Sequence, residues 1–302
     1  MNWIALSLLS AFFLGLYDLC KKHAVHDNAV LMVLFWSTSC GALVWGGLMV
    51  VEGLAPGHLP ADLRTTPLDL RGHGLMFVKA LIVAASWICG YFALKHLPVS
   101  FGSPIRASGP LWTWLGAVIL LAERPTWMES LGILLTLGSF FGLSVAGRHE
   151  GIHFHKDKWV WMMVAATLLG SASGLWDKYL LGRSGYTAAT VQAWFSVYLV
   201  VLFLPLAVGW KRRWWPRHEF HWRWSIPLIA ASLLLADYIY FSALRDPQAL
   251  VSLVSSLRRG STLVSFAGGI WLFREPNGLR KLPAVLGILA GMVITMLGGH
   301  RS

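Results

Sequence analysis

An arginine stands inside a membrane-length apolar run twice in this chain, and the sequence around it is written twice as well. The first copy reads S-P-I-Arg106-A-S-G-P and closes on L-A-Glu123-R-P; the second reads S-S-L-Arg258-Arg259-G-S and closes on F-R-Glu275-P. Arginine and glutamate lie 17 residues apart in both copies, and the copies are offset by 152. Register is kept through a whole helix, as an internally duplicated bundle requires.

Such a bundle belongs in a bilayer. Of 302 residues, 56% are hydrophobic and only 13% charged, more apolar sequence than a soluble core of this size can hide. The net charge of +11 is spread over short stretches between apolar runs, which is membrane patterning and not a nucleic-acid face. Cys20, Cys40 and Cys89 show no ligand spacing and suggest no disulfide framework. Met1-Asn2-Trp3 enters the first apolar run without a basic leader, so that run reads as a retained helix.

Ten segments have the roughly 20 residues that a hydrocarbon layer of about 30 Å demands. They cover 3–24, 29–51, 74–95, 98–121, 126–146, 158–181, 187–209, 224–244, 249–273 and 280–298. Helices are expected because lipid leaves no partner for an open strand edge. Further matches join the halves: Gly15-Leu16-Tyr17-Asp18 with Gly174-Leu175-Trp176-Asp177, and Tyr91 to Lys95 with Tyr240 to Arg245. A repeat of five helices must reverse its orientation in the membrane. The expected fold is therefore an all-α membrane protein of ten transmembrane helices, built from two inverted five-helix repeats. The repeats are 1–147 and 158–302, with 148–157 as linker.

On these features the chain resembles the drug/metabolite transporter superfamily, in particular its ten-helix EamA-type members. The Y-F-x-A-L-K/R endings of spans three and eight and the glutamate-bearing turns after spans four and nine carry the likeness. The resemblance implies alternating-access transport of a small metabolite, without cofactor. It also implies a substrate role for a basic pair in span nine and a basic residue in span four, as in the organic-phosphate exchangers of that superfamily. Arg258, Arg259 and Arg106 match by type and span, although the usual residues include lysines.

The residues themselves point the same way. Arg106 and the Arg258-Arg259 pair lie eight to nine residues into their spans, roughly 12–14 Å deep. Charge held there is costly and marks a pathway or a site by default. A guanidinium stays ionised and matches carboxylate or phosphate with a rigid fork of donors. The competing account is internal pairing with Asp237, Asp18 or Asp177. Asp237 has no carboxylate mate in the other half, where Trp87 stands, which suits a specific task such as accepting a coupling proton. Asp18 has Lys21 and Lys22 at i+3 and i+4, the spacing of a local pair, and Lys79 lies close enough to a span end to snorkel.

We assign substrate contact to Arg106, Arg258, Arg259, Asp237, Lys22 and Trp87, and gating or coupling to Asp18, Asp177 and Asp237. Trp3, Trp45, Trp127, Trp159 and the Trp210 to Trp224 cluster read as an interfacial belt. Trp36, Trp87, Trp112, Trp114, Trp176 and Trp194 lie deeper and are candidates for an aromatic cavity or for packing.

His149, His153 and His155 fall in the linker and match no closed zinc pattern. No metal is expected. No nucleophile motif or metal-binding helix pair supports an enzyme.

The preferred cargo is an organic anion, a phosphate ester or carboxylate. The alternatives are proton-coupled export of amino acids or amines, and carriage of a lipid-linked sugar. The partners are a small solute, the bilayer of a bacterial inner membrane, and a coupling proton or counter-substrate, with monomer and homodimer both open.

Orientation yields a direct test. Loops on one side hold Lys156, Lys158, Lys211, Arg212, Arg213, Arg217 and Arg223 among others, and those opposite hold only Arg64, Arg71, Arg124, Arg183, Arg245 and Arg301. The positive-inside rule then places both termini outside, whereas family habit places them in the cytoplasm. A reporter fused at Ser302 that is active only in the cytoplasm decides between them.

Overall fold

The computed structural model describes residues 2–96, 105–106, 108–145, 158–214, 219–261, 263–264, 267–268 and 278–299. The helices among them are α1 (Trp3–Val25), α2 (Val30–Leu54), α3 (Leu70–His96), α4 (Gly109–Leu120) and α5 (Trp127–Val145) in the first half. The second half has α6 (Lys158–Lys178, continued by a π turn over Tyr179–Arg183), α7 (Ala188–Lys211), α8 (Ser225–Leu244), α9 (Val251–Arg258) and α10 (Gly278–Gly299). No strand occurs among the described residues.

Local chemistry sets where several helices begin. Asn2 caps α1 by accepting from Ile4 N at 3.2 Å, and Thr187 caps α7 by accepting from Thr190 N at 3.1 Å. Thr126 and Glu129 form a reciprocal capping box at the head of α5. The start of α9 is capped from another element altogether. Glu123, buried in the turn after α4, accepts from Val251 N at 2.8 Å and from the Ser252 hydroxyl at 2.9 Å.

Six helices are long and apolar enough to cross a membrane: Trp3–Val25, Val30–Leu54, Leu70–Ala93, Lys158–Arg183, Ala188–Lys211 and Ser225–Leu244. Their outer faces are apolar too, with Leu54 82% and Leu43 75% exposed, an arrangement that water would penalise and lipid does not. Several hydroxyls inside the spans are satisfied by their own helices: Ser7 donates to Trp3 O, Thr38 to Leu34 O and Thr167 to Met163 O. That is the internal satisfaction a hydrocarbon surrounding imposes.

The halves are interleaved. The most extensive contacts are α5 with α10, α1 with α8, α3 with α6 and α2 with α7, followed by α3 with α7, α4 with α6, α2 with α8, α1 with α9 and α4 with α9. Exchanging each helix for the one five places along leaves this set of pairs unchanged. Between α5 and α10 the backbones approach closely through glycine. A Cβ on Gly291 would lie 2.7 Å from Thr136 N and 2.8 Å from Gly132 O, so no side chain fits without moving α10. Gly291→Leu should therefore cost about 1–3 kcal/mol by overpacking, read as a lowered midpoint in detergent thermal unfolding. An unchanged midpoint would show that the contact is slack.

Candidate functional site

Two groups of charges meet between the halves, and they differ in how they are balanced. In the first, Lys79 on α3 pairs with Asp177 on α6, both almost wholly buried, and the Lys79 ammonium lies 4.5 Å from the Phe195 ring centre and 4.8 Å from that of Phe241. One helix layer away Arg258 pairs with Asp237 on α8. Its Nε donates to the Ser10 hydroxyl at 3.1 Å, and Ser10 donates in turn to Ala236 O at 2.7 Å. Tyr240 stands between the two pairs: the Arg258 guanidinium lies 4.1 Å over its ring, and its hydroxyl end is within reach of Asp177. Each cation here has a carboxylate of its own.

The second group is not balanced. Lys21 on α1 lies over the Tyr91 ring at 4.1 Å and the Tyr17 ring at 5.4 Å. Arg259 runs to the head of α4, where a Cβ on Gly109 would lie 2.7 Å from its Nη2, and Ser171 steadies that backbone by donating to Gly109 O at 2.9 Å. A side chain at position 109 would push the guanidinium aside. Arg106 precedes α4, is exposed, and is near enough to act electrostatically on both Lys21 and Arg259. Asp18 is the carboxylate whose field reaches these cations. Among the described residues, Lys21, Arg106 and Arg259 form no ion pair.

Beside both groups α1, α2, α3, α7 and α8 surround a cavity with about 460 Å³ of empty space, counting the part that opens outward. Its wall holds Tyr17, Trp87, Tyr91 and Phe195, the polar residues Ser37, Thr38, Gln192 and Ser196, and the carboxylate of Asp237. Among the described residues, no Lys or Arg belongs to that wall. The arrangement offers an aromatic chamber with an acidic group, adjoining a cluster of cations.

Several positions differ from the sequence expectation. Lys79 does not snorkel: α3 begins at Leu70, so Lys79 is deeper than its expected place and sits 2% exposed on Asp177. Arg258 is engaged by Asp237, which leaves Arg106 and Arg259 as the two of these three arginines outside ion pairs among the described residues. Trp36 faces outward, 39% exposed and edge-on to Trp222 at 5.9 Å, whereas Trp3 and Trp45 are buried within the protein. Trp176 and Trp194 are packing groups, the former donating to Leu75 O at 3.1 Å and the latter edge-on to His73. The Lys22 side chain, Glu275 and the linker histidines lie outside the described residues. Gln192 was no part of the sequence expectation, yet a lone carboxamide in the apolar run Val191-Gln192-Ala193 is a signal that could have found it.

Comparison with known proteins agrees with this architecture. Residues 1–145 match the EamA-like transporter family. A probable terminal-alkyne amino-acid exporter of Streptantibioticus cattleyicolor is 25% identical over 221 residues, covering 68% of this chain and 68% of the relative. A probable sugar phosphate/phosphate translocator of Arabidopsis thaliana is 25% identical over 252 residues, covering 78% of this chain and 66% of the relative. A protein of known crystal structure superposes with a TM-score of 0.73 at 16% identity, over 99% of this chain and 98% of its own, which speaks to fold alone.

The buried pair supplies a stability test that is independent of cargo. Removing one partner strands the other charge, so Lys79→Met or Asp177→Leu alone should cost about 3–5 kcal/mol, whereas the double variant should recover most of it. Thermal unfolding of the three proteins in detergent measures this. A double variant no better than the sum of the singles would show that the pair is not coupled.

Proposed function

We propose that this chain, whose residues 1–145 match the EamA-like transporter family, is a member of it and an alternating-access carrier of a small organic anion. Transport and not catalysis is what the family and the relatives above have in common. The fold behind the proposal is ten membrane helices in two inverted repeats, 1–147 and 158–302. The exchange-invariant set of helix contacts supports it, because two halves with matching neighbours can trade conformations and so open to opposite sides.

The observation that carries the substrate reading is the imbalance of charge. Asp18 is the carboxylate whose field reaches Lys21 and Arg259, with Arg106 beside them, and an incoming carboxylate or phosphate ester restores neutrality while gaining bidentate hydrogen bonds. Arg258 joins them when Asp237 releases it, which makes the Arg258–Asp237 pair the switch that reports occupancy. An empty carrier holding uncompensated positive charge reorients poorly, so exchange of one anion for another follows. The relative described as a sugar phosphate/phosphate translocator adds support to an anionic cargo.

One observation favours a second reading. Asp237 lines the aromatic chamber and, among the described residues, no cation does, an environment suited to an ammonium group. Proton-coupled export of an amino acid or amine, with Asp237 as proton acceptor, is that alternative, and the amino-acid exporter among the relatives supports it.

Counterflow in proteoliposomes against phosphate esters, carboxylates, amino acids and amines separates the two. On the anion reading, Arg106→Ala and Arg259→Ala each remove a charge-assisted contact worth about 1.5–3 kcal/mol, a loss of roughly tenfold or more in affinity. Arginine variants that transport normally, beside an inactive Asp237→Asn, would overturn the anion reading in favour of the amine.

A further inference from the structure

We propose that Gln192 is a specificity residue that reads a hydrogen-bond donor, a hydroxyl or amino group, on the body of the transported anion. The inference rests on the anion reading, with the body of the anion lying in the aromatic chamber beside the cations, and it adds what the cargo must carry besides its negative charge.

Gln192 is 1% exposed, belongs to α7 and lines the cavity. Its Nε2 donates to Leu234 O at 2.7 Å, which fixes the amide: turning it over would set two acceptors against each other. Its Oε1 has no hydrogen-bond partner among the described residues, although it is wholly buried. A carboxamide oxygen accepts and cannot donate. A buried acceptor left without a partner is costly enough that native proteins seldom keep one without a reason.

The neighbouring polar groups show the same bias. Ser37 donates to Leu34 O at 3.1 Å, Thr38 donates to the same carbonyl at 2.8 Å, and Ser196 donates to Gln192 O at 2.8 Å. Their protons are spent within their own helices. What they have left for the cavity is lone pairs. Asp237, one helical turn beyond Leu234 on α8, is a carboxylate already held by Arg258. The wall from α2, α7 and α8 is therefore a surface of acceptors, to which Asp237 of the Arg258–Asp237 pair itself belongs. An anion with an aliphatic body leaves Gln192 Oε1 unpaired. An anion with hydroxyl or amino groups pairs it, and sites built in this way reject the analogue that lacks the donor far more strongly than apolar pockets reject a missing methylene.

The test is counterflow by the protein in liposomes, with two probe pairs in which one member lacks the donor: glycerol 3-phosphate and propyl phosphate, lactate and propionate. Wild type should prefer the hydroxylated member of whichever pair it moves by about tenfold or more. Gln192→Met, which keeps the volume and removes the acceptor, should bring that ratio to about one while still moving the less hydroxylated member. Because both members are measured on the same preparation, a partly unfolded variant does not alter the ratio. Equal transport of both members by wild type overturns the proposal without touching the anion reading, and so does a preference that survives in Gln192→Met. Anion transport that ignores Arg106→Ala and Arg259→Ala sinks the anion reading while leaving the Gln192 ratio to stand or fall by itself. If wild type moves none of the four probes, both fail together.

Discussion

Charge inside a hydrocarbon layer must be matched, and the interior of this protein is organised around that demand. Lys79 and Asp177 come from different halves of the chain, as do Ser10 and Arg258, so the contacts that neutralise or solvate buried charge are also contacts that hold the halves together. Apolar packing cannot supply such specificity, because lipid is as apolar as leucine and helices gain little by hiding from it. Placing the unbalanced cations beside the balanced pairs confines the unmet electrostatic demand to one place. That place adjoins the cavity.

The helices were legible because their cause is simple: an apolar run of about 20 residues has one way to cross a bilayer. Observed α1, α2, α7 and α8 lie within a few residues of the expected runs. Helix faces were much less legible. In a soluble helix a polar stripe marks the outside, whereas here both the lipid side and the packed side are apolar, and nothing in the order of residues says that Trp36 looks out while Trp45 looks in. Partnerships were harder still. Lys79 was expected near an interface because its helix was expected to start at 74, and a start at Leu70 moves it inward by about a turn, onto Asp177.

The repeat told more than composition could. It paired Arg106 with Arg258 and Asp18 with Asp177 in sequence, and the helix contacts respect the same exchange. Yet the chemistry of equivalent positions has diverged. Asp177 is locked to a lysine across the interface, while Asp18 faces a cluster of cations. Asp237 lines the cavity and stands where the other half has Trp87, which lines it too. A symmetric scaffold thus carries an asymmetric site, and only the three-dimensional arrangement reveals which member of each pair has taken which role. Gln192, an acceptor fixed by a backbone carbonyl, belongs to that asymmetry.

Helix α9 spans eight residues, roughly 12 Å of rise. Its first turn hangs from the Glu123 carboxylate and its last residue is tied to Asp237. A rod that short does not bend. Whatever shifts Arg258 at one end must pull on the turn after α4 at the other, which makes α9 a strut between the charge centre and a loop of the opposite half.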